Sequence, residues 1–112
     1  TLYIDLDDTI ILRDKVNLDA IQLIYQSLNG KKKVNLITRH VGNLHETLNN
    51  YHLIGIFDEI IHILDGSLKS KYFIDVNAIF VDDSFVERWD VSEVLGIPTF
   101  DCSMIELLIQ SV

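Results

Sequence analysis

The sequence predicts an α/β fold in which a parallel sheet carries helices on both faces, a three-layer α/β/α sandwich. Three observations point there. Short β-branched or apolar runs alternate with longer stretches of helical spacing, as in successive βα units. Polar residues close several of those runs, namely Asp5, Asp7, Thr38, Asp82 and Asp83, at the strand ends where an open α/β sheet keeps its ligand crevice. The 112 residues are 48% hydrophobic with one Pro and five Gly, which suits a single globular domain over residues 1–112 and excludes a disordered chain or linker.

The elements follow in order. "LYID" is the first strand. Asn17 or Asp19 caps a helix that runs through Asn29 with Ala20, Leu23, Ile24 and Leu28 on one face, and "NG" at Asn29 and Gly30 closes it. "KVNLIT" is the second strand, and a helix from about Gly42 to His52 follows, with Leu44 and Leu48 four residues apart. "FDEIIHI" is the third strand and Ser67 to Asp75 a short helix. "AIFVDD" is the fourth strand, "SFVERWDVSEVLG" a helix ending at Gly96, "PTFD" a short fifth strand, and "SMIELLIQ" a final helix. Right-handed crossovers place helices on both faces, and acids ending the first and fourth strands put those two side by side, so the expected order is 5-4-1-2-3.

Seventeen acids against nine bases give a formal charge of −8, which repels nucleic acid and anionic membranes and suits a cation. The basic run Lys31 to Lys33 reads as a solvated turn. Apolar runs reach only about four or five residues, too short for a membrane span or a secretory segment, so a soluble cytoplasmic protein is expected. The lone Cys102 can form no internal disulfide and offers no zinc site; it is expected as a small core residue.

The chemistry begins in "LYIDLDDTII". Strand alternation puts Asp5 and Asp7 on roughly one side and Asp8 on the other. Asp82 or Asp83 from the fourth strand adds more negative charge than can stay ionised without compensation, and a hard divalent cation such as Mg2+ is the natural counterion. A substrate phosphate would complete its shell and would need a cation and a hydroxyl, for which Lys69 or Lys71 and Thr38 are placed.

With D-x-D-x-T at Asp5, Asp7 and Thr9, "LIT" ending at Thr38, Lys69, and "IFVDDS", the sequence resembles the four motifs of the haloacid dehalogenase (HAD) superfamily. The resemblance spans nearly the whole chain. Response-regulator receiver domains use similar residues in another order, with a phosphorylated Asp ending the third strand and a Lys the fifth, neither of which fits here. The resemblance implies a HAD-like Rossmannoid fold and a Mg2+-dependent phosphatase working through an aspartyl phosphate. Asp5 would be the nucleophile. Asp7 would protonate the leaving oxygen and then activate water, a role that favours a phosphatase or phosphomutase over an ATPase or dehalogenase. Thr38 and Lys69 would hold the phosphoryl group, and Asp5, the Asp7 backbone carbonyl and Asp83 would bind the metal, with Asp82 the substitute one residue off. The family's G-D-x-x-x-D form matches Asp83 and sets Glu87 on its second acid.

Other residues carry plainer expectations. Asp8 reads as a turn residue, Thr9 as a hydrogen-bonding loop residue, and Lys71 as an exposed lysine. Arg39 and His40 are placed to read the leaving group or to be merely solvated. Trp89 reads as packing, and Arg13 sits where family members carry a mobile flap. His45, His52 and His62 lack metal-ligand spacing. About 33 residues separate Asp5 from Thr38 and about 31 separate Thr38 from Lys69, which leaves no room for a cap domain. An uncapped site admits a macromolecular phosphate, or is closed by another subunit or domain, and the acidic charge argues against nucleic acid. A start at the first strand is compatible with a domain cut from a longer chain or fused to another enzyme. The alternative function is a catalytically silent HAD-like regulatory or interaction domain.

Overall fold

The structure is a computed structural model that describes residues 1–109. In chain order the elements are β1 (Leu2–Ile4), β2 (Ile11–Leu12), β3 (Lys15–Val16), α1 (Leu18–Asn29), β4 (Val34–Thr38), α2 (Leu44–Asn50) and β5 (Glu59–His62). They continue with a 3-10 turn (Lys69–Tyr72), β6 (Ile79–Val81), α3 (Phe85–Leu95), β7 (Thr99–Phe100), a second 3-10 turn (Cys102–Met104) and α4 (Ile105–Leu108).

Among the described residues five strands form one parallel sheet in the order β5-β4-β1-β6-β7. This differs from the expected 5-4-1-2-3 in its count and numbering, because β2 and β3 are additional strands that pair as a separate antiparallel hairpin. The hairpin turns through Arg13 and Asp14, both left-handed (φ 50° and 62°), the geometry of a two-residue primed turn whose twist matches its strands. Two-residue strands without an Asn-Gly or Asp-Gly turn leave no readable sequence pattern. The segment that opens the chain is central, flanked by those ending at Thr38 and Val81.

Alternation along the strands builds the two outer layers. Leu2 and Ile4 join Val34, Leu36 and Val81 in a core with Leu23 and Ile24 of α1, Leu48 of α2 and Ile105 of α4. On the other face Tyr3, Ile37 and Phe80 pack with Val91 of α3 and Ile97. Tyr3 stacks on Phe73 at 4.0 Å, and its hydroxyl oxygen accepts the backbone N–H groups of Ile74 and Asp75. That capture shortens the helix expected over Ser67 to Asp75 to a single 3-10 turn.

Side-chain caps fix the helix starts. Asn17 accepts the Asp19 N–H at α1, Asn43 the Glu46 N–H at α2, which therefore starts at Leu44, and Ser84 the Glu87 N–H at α3. Gly96 ends α3 in the left-handed conformation at φ 66°. The expected final helix survives as α4, and its last residue, Gln110, lies outside the described residues. Among the described residues no helix is long and apolar enough to cross a membrane.

Candidate active site

The C-terminal ends of β1 and β6, adjacent and parallel, deliver Asp5 and the pair Asp82 and Asp83 to one cleft of about 560 Å³. Asp5 is buried on its floor, its backbone N–H donating to the Val81 carbonyl at 3.0 Å, so the sheet ladder sets its position. Asp82 and Asp83 follow the end of β6 and both line the cleft, but they take different partners. Asp82 is 1% exposed; its Oδ2 accepts Lys69 Nζ at 2.6 Å and its Oδ1 the Ser84 N–H at 2.9 Å. Asp83 is half-buried and turned toward Thr9.

Lys69, rather than Lys71, is the lysine of the site. Its stem is buried and its Nζ lies 3.0 Å from Asp5 Oδ1, 2.6 Å from Asp82 Oδ2 and 3.5 Å from Glu87 Oε2. Lys71 is exposed. The turn bearing Lys69 is tied to α3 by Asp90, whose carboxylate accepts the backbone N–H of Ser70 at 3.1 Å and its hydroxyl at 2.8 Å. Glu87 also accepts Arg39 through both of its oxygens, at 2.8 and 3.2 Å.

Thr9 is fully buried and joins the two acidic loops. Its hydroxyl oxygen accepts the Asp83 N–H at 3.2 Å and lies 3.5 Å from both Asp5 Oδ2 and Asp83 Oδ1. Thr38 is likewise buried, at the end of β4, where its hydroxyl oxygen accepts the His40 N–H at 3.0 Å; it does not line the cleft.

Asp7 sits at the cleft mouth with its side chain half exposed, and both of its oxygens lie within 3.1 Å of His40 Nδ1. An ionised carboxylate only accepts, so that ring nitrogen carries the proton. His40 Nε2 meets Thr47 Oγ1 at 2.8 Å, and the His40 backbone carbonyl accepts His62 Nε2 at 2.7 Å. The partners of Asp7 and Lys69 on α2 and α3, Thr47 through His40 and Asp90 through Ser70, carry no sequence motif; they follow only from packing. Asp8 is exposed in a left-handed turn (φ 60°), as expected of a turn residue. Arg13 stands exposed on the hairpin tip, Cys102 is only half-buried, and Trp89, expected in packing, is exposed.

Burial and the charge of Asp82 together push the Asp5 carboxyl up to about 8 against the opposing pull of Lys69. Burial also raises Asp82, although Lys69 resists it. Burial alone would lower the Lys69 ammonium, but Asp5 and Asp82 outweigh it and hold Lys69 charged. Glu87 is penalised by burial too, yet its hydrogen bonds to Arg39 and the Lys69 charge keep it below its usual value.

Among the described residues, Asp5, Asp82 and Asp83 each present a carboxylate oxygen within 4.8 Å of the others, spacing that fits a hard divalent cation. Asp82 has both oxygens held closely, by Lys69 at 2.6 Å and Ser84 at 2.9 Å, whereas Asp5 Oδ2 and Asp83 Oδ1 meet only the Thr9 hydroxyl at 3.5 Å and are the oxygens more easily given to a ligand. The Asp7 side chain stands apart from this group.

No protein-family profile and no curated protein matches the sequence. Solved structures of similar fold include an uncharacterised protein from Corynebacterium glutamicum ATCC 13032 Kitasato (14% identity, 99% of this chain and 96% of that one, TM-score 0.68). Another is a HAD-superfamily hydrolase from Ehrlichia chaffeensis (17% identity, 93% of this chain and 66% of that one, TM-score 0.57). At these identities the likeness shows the fold alone, an α/β arrangement around a parallel sheet.

Proposed function

We propose that the chain is a Mg2+-dependent phosphohydrolase that cleaves a phosphate monoester through an aspartyl phosphate on Asp5. The observation that carries this reading is the buried Asp5 carboxylate on the cleft floor, 3.0 Å from the Lys69 ammonium and grouped with Asp82 and Asp83. Burial strips Asp5 of water while the lysine holds it, which suits a nucleophile better than a solvated surface acid.

Asp5 and Asp83 would hold the metal, with the Asp7 backbone carbonyl as a third ligand by resemblance. Bound there, Mg2+ would supply positive charge that favours the ionised form of Asp5 and screens the incoming phosphate. The chain's own residues do the rest. An Asp5 oxygen bonds to phosphorus as the bond from phosphorus to the leaving oxygen breaks, and Asp7, which enters this step in its protonated form, gives that oxygen its proton and is left as the carboxylate that His40 holds. Water then attacks phosphorus, Asp7 takes the water's proton, and the Asp5–phosphorus bond breaks to release inorganic phosphate. His40 keeps the Asp7 carboxylate at the cleft mouth, and the buried Thr38 hydroxyl, whose oxygen accepts the His40 N–H, positions His40 from behind rather than meeting the phosphoryl group itself. Lys69 stabilises charge on the transferring group.

Between β1 and β4 stand only the hairpin and α1, which supports an open cleft that admits a large phosphorylated substrate or is closed by another domain. A panel of phosphate esters with Mg2+, run on the wild type and on Asp5→Asn, tests the proposal. Phosphate release lost both with EDTA and in Asp5→Asn is expected. Release that survives metal removal or the substitution refutes it, and no release from any ester leaves the silent HAD-like module as the better reading.

A further inference from the structure

The substrate's leaving group still lacks a surface to bind. Immediately after the Asp82–Ser84 loop, the first turns of α3 expose three large apolar side chains, Phe85 (66%), Val86 (71%) and Trp89 (58%), which line a hollow of about 340 Å³. Val86 also walls the catalytic cleft, so the hollow and the cleft meet at that residue. The Phe85 and Trp89 rings lie 6.0 Å apart with their planes inclined by 31°, and the Arg88 guanidinium backs Phe85 at 5.9 Å. Arg88 is itself anchored to the Asp82 carbonyl and to Asp101, which ties this platform to the acidic loop.

Charge decides what the platform takes. Six of the residues lining the cleft are acids and two, Arg39 and Lys69, are permanent cations, and both cations are engaged, Arg39 with Glu87 and Lys69 with Asp5 and Asp82. On the platform the charge beside Phe85 is Arg88, already paired with Asp101, so a second phosphate or a carboxylate on the leaving group would find that cation engaged and mostly negative charge in the adjoining cleft. A second copy of the chain, with the same formal charge of −8, is disfavoured for the same reason. An uncharged aromatic group meets two rings and a valine.

Resting on the phosphatase reading above, we infer that Phe85, Val86 and Trp89 are the leaving-group subsite and that the substrate is the monophosphate of an uncharged alcohol or phenol bearing an aromatic ring.

Trp89 is the single tryptophan of the sequence, so its fluorescence reports the subsite without turnover. With Mg2+ present, benzylphosphonate and methylphosphonate, two non-hydrolysable probes with the same anionic head, are titrated by calorimetry and by Trp89 emission. Benzylphosphonate is expected to bind more tightly and to shift the emission. In Phe85→Ala the ratio of the two affinities should fall by about two- to tenfold, the scale of one aromatic contact. Phe85 is largely exposed, so the variant keeps the core intact. Equal affinities in the wild type, with no shift in emission, overturn the subsite and leave the phosphatase reading standing. Binding of neither probe removes the phosphate site itself, and the subsite with it. Emission that depends on protein concentration without ligand, and ceases to do so in Phe85→Ala, shows a second copy covering this face and also overturns the subsite.

Discussion

Replacing Lys69 with Met tests the electrostatic core of the site directly. The ammonium is 2% exposed and holds Asp5 at 3.0 Å and Asp82 at 2.6 Å, while Glu87 has Arg39 as a second partner. Met preserves length and apolar volume, so the change removes charge more than packing. Asp82 is then left with only the Ser84 N–H at 2.9 Å. It cannot stay ionised in that environment, and its escape is protonation. Keeping an ordinary aspartate neutral at pH 7 costs about 4 kcal/mol, which caps the penalty. Allowing for the share the wild type already bears and for the better burial of Met, the expected loss is about 3 kcal/mol, in the range for breaking a buried pair. For a domain of this size that corresponds to a fall in Tm of about 12–20 °C.

The sign with pH is distinctive. In the variant, Asp82 has a folded pKa well above its unfolded value, so its contribution to stability is present at low pH and lost as pH rises. Protonation costs only about 1.5 kcal/mol at pH 5, so the gap between wild type and variant should shrink by about half or more from pH 7 to pH 5. Urea denaturation of both proteins at the two pH values, without metal, makes the measurement. A gap below about 1 kcal/mol at pH 7, or one unchanged between the two, refutes the reasoning.

Phosphoenzyme should accumulate on Asp7→Asn with an aryl phosphate, because hydrolysis of the intermediate is slowed, and be absent from Asp5→Asn; acid-quench mass spectrometry locates it, and label on Asp8 would show the wrong nucleophile. Asp83→Asn should weaken Mg2+ binding at least about tenfold by calorimetry with little loss of metal-free stability, whereas Asp82→Asn should lower stability. Metal-free wild type should lose stability between about pH 4 and pH 8, because burial raises Asp5 to about 8 in the fold and the unfolded chain gives up that proton earlier. The slope from this one proton is at most about 1.4 kcal/mol per pH unit, and Asp5→Asn should flatten it. Asp90→Ala should cost about 1–3 kcal/mol through the two orphaned Ser70 donors, and should raise KM if that tether also aims Lys69.

The centre of the sheet and its acids were legible because three strand segments end in a residue type that the apolar run does not explain. "LYID", "LIT" and "IFVDD" announced the adjacency of β1, β4 and β6 that brings Asp5 and Asp82 together. Local chemistry hid the rest. The hairpin strands are two residues long, too short to show alternation. The helix expected over Ser67 to Asp75 yields to the Tyr3 hydroxyl, 71 positions away from Ile74, a competitor that no window of local sequence contains. His40 finds Asp7 across 33 positions, and Arg39 finds Glu87 across 48. Trp89 was misplaced because α3 buries a narrow stripe that includes Asp90 and Val91, and the aromatic lies on the other side of the helix.

Two adjacent aspartates just past the end of β6 divide their labour because they meet different partners, Lys69 and the Ser84 N–H for Asp82 and Thr9 for Asp83. Asp82 turns inward, where Lys69 and the Ser84 N–H occupy both of its oxygens, and a buried lysine would be untenable without it. Asp83 turns toward Thr9 and the cleft with its carboxylate only loosely held at 3.5 Å. The inner acid therefore maintains the cation that holds Asp5, and the outer acid remains available to a ligand. If all are ionised, Asp5, Asp82, Asp83 and Glu87 carry four negative charges against two positive ones on Lys69 and Arg39. The remaining imbalance of two is relieved in part by the proton that burial favours on Asp5, and fully by a divalent cation. A cation held by Asp5 and Asp83 would displace that proton, so the same binding event that balances these four acids would also ready Asp5 to attack.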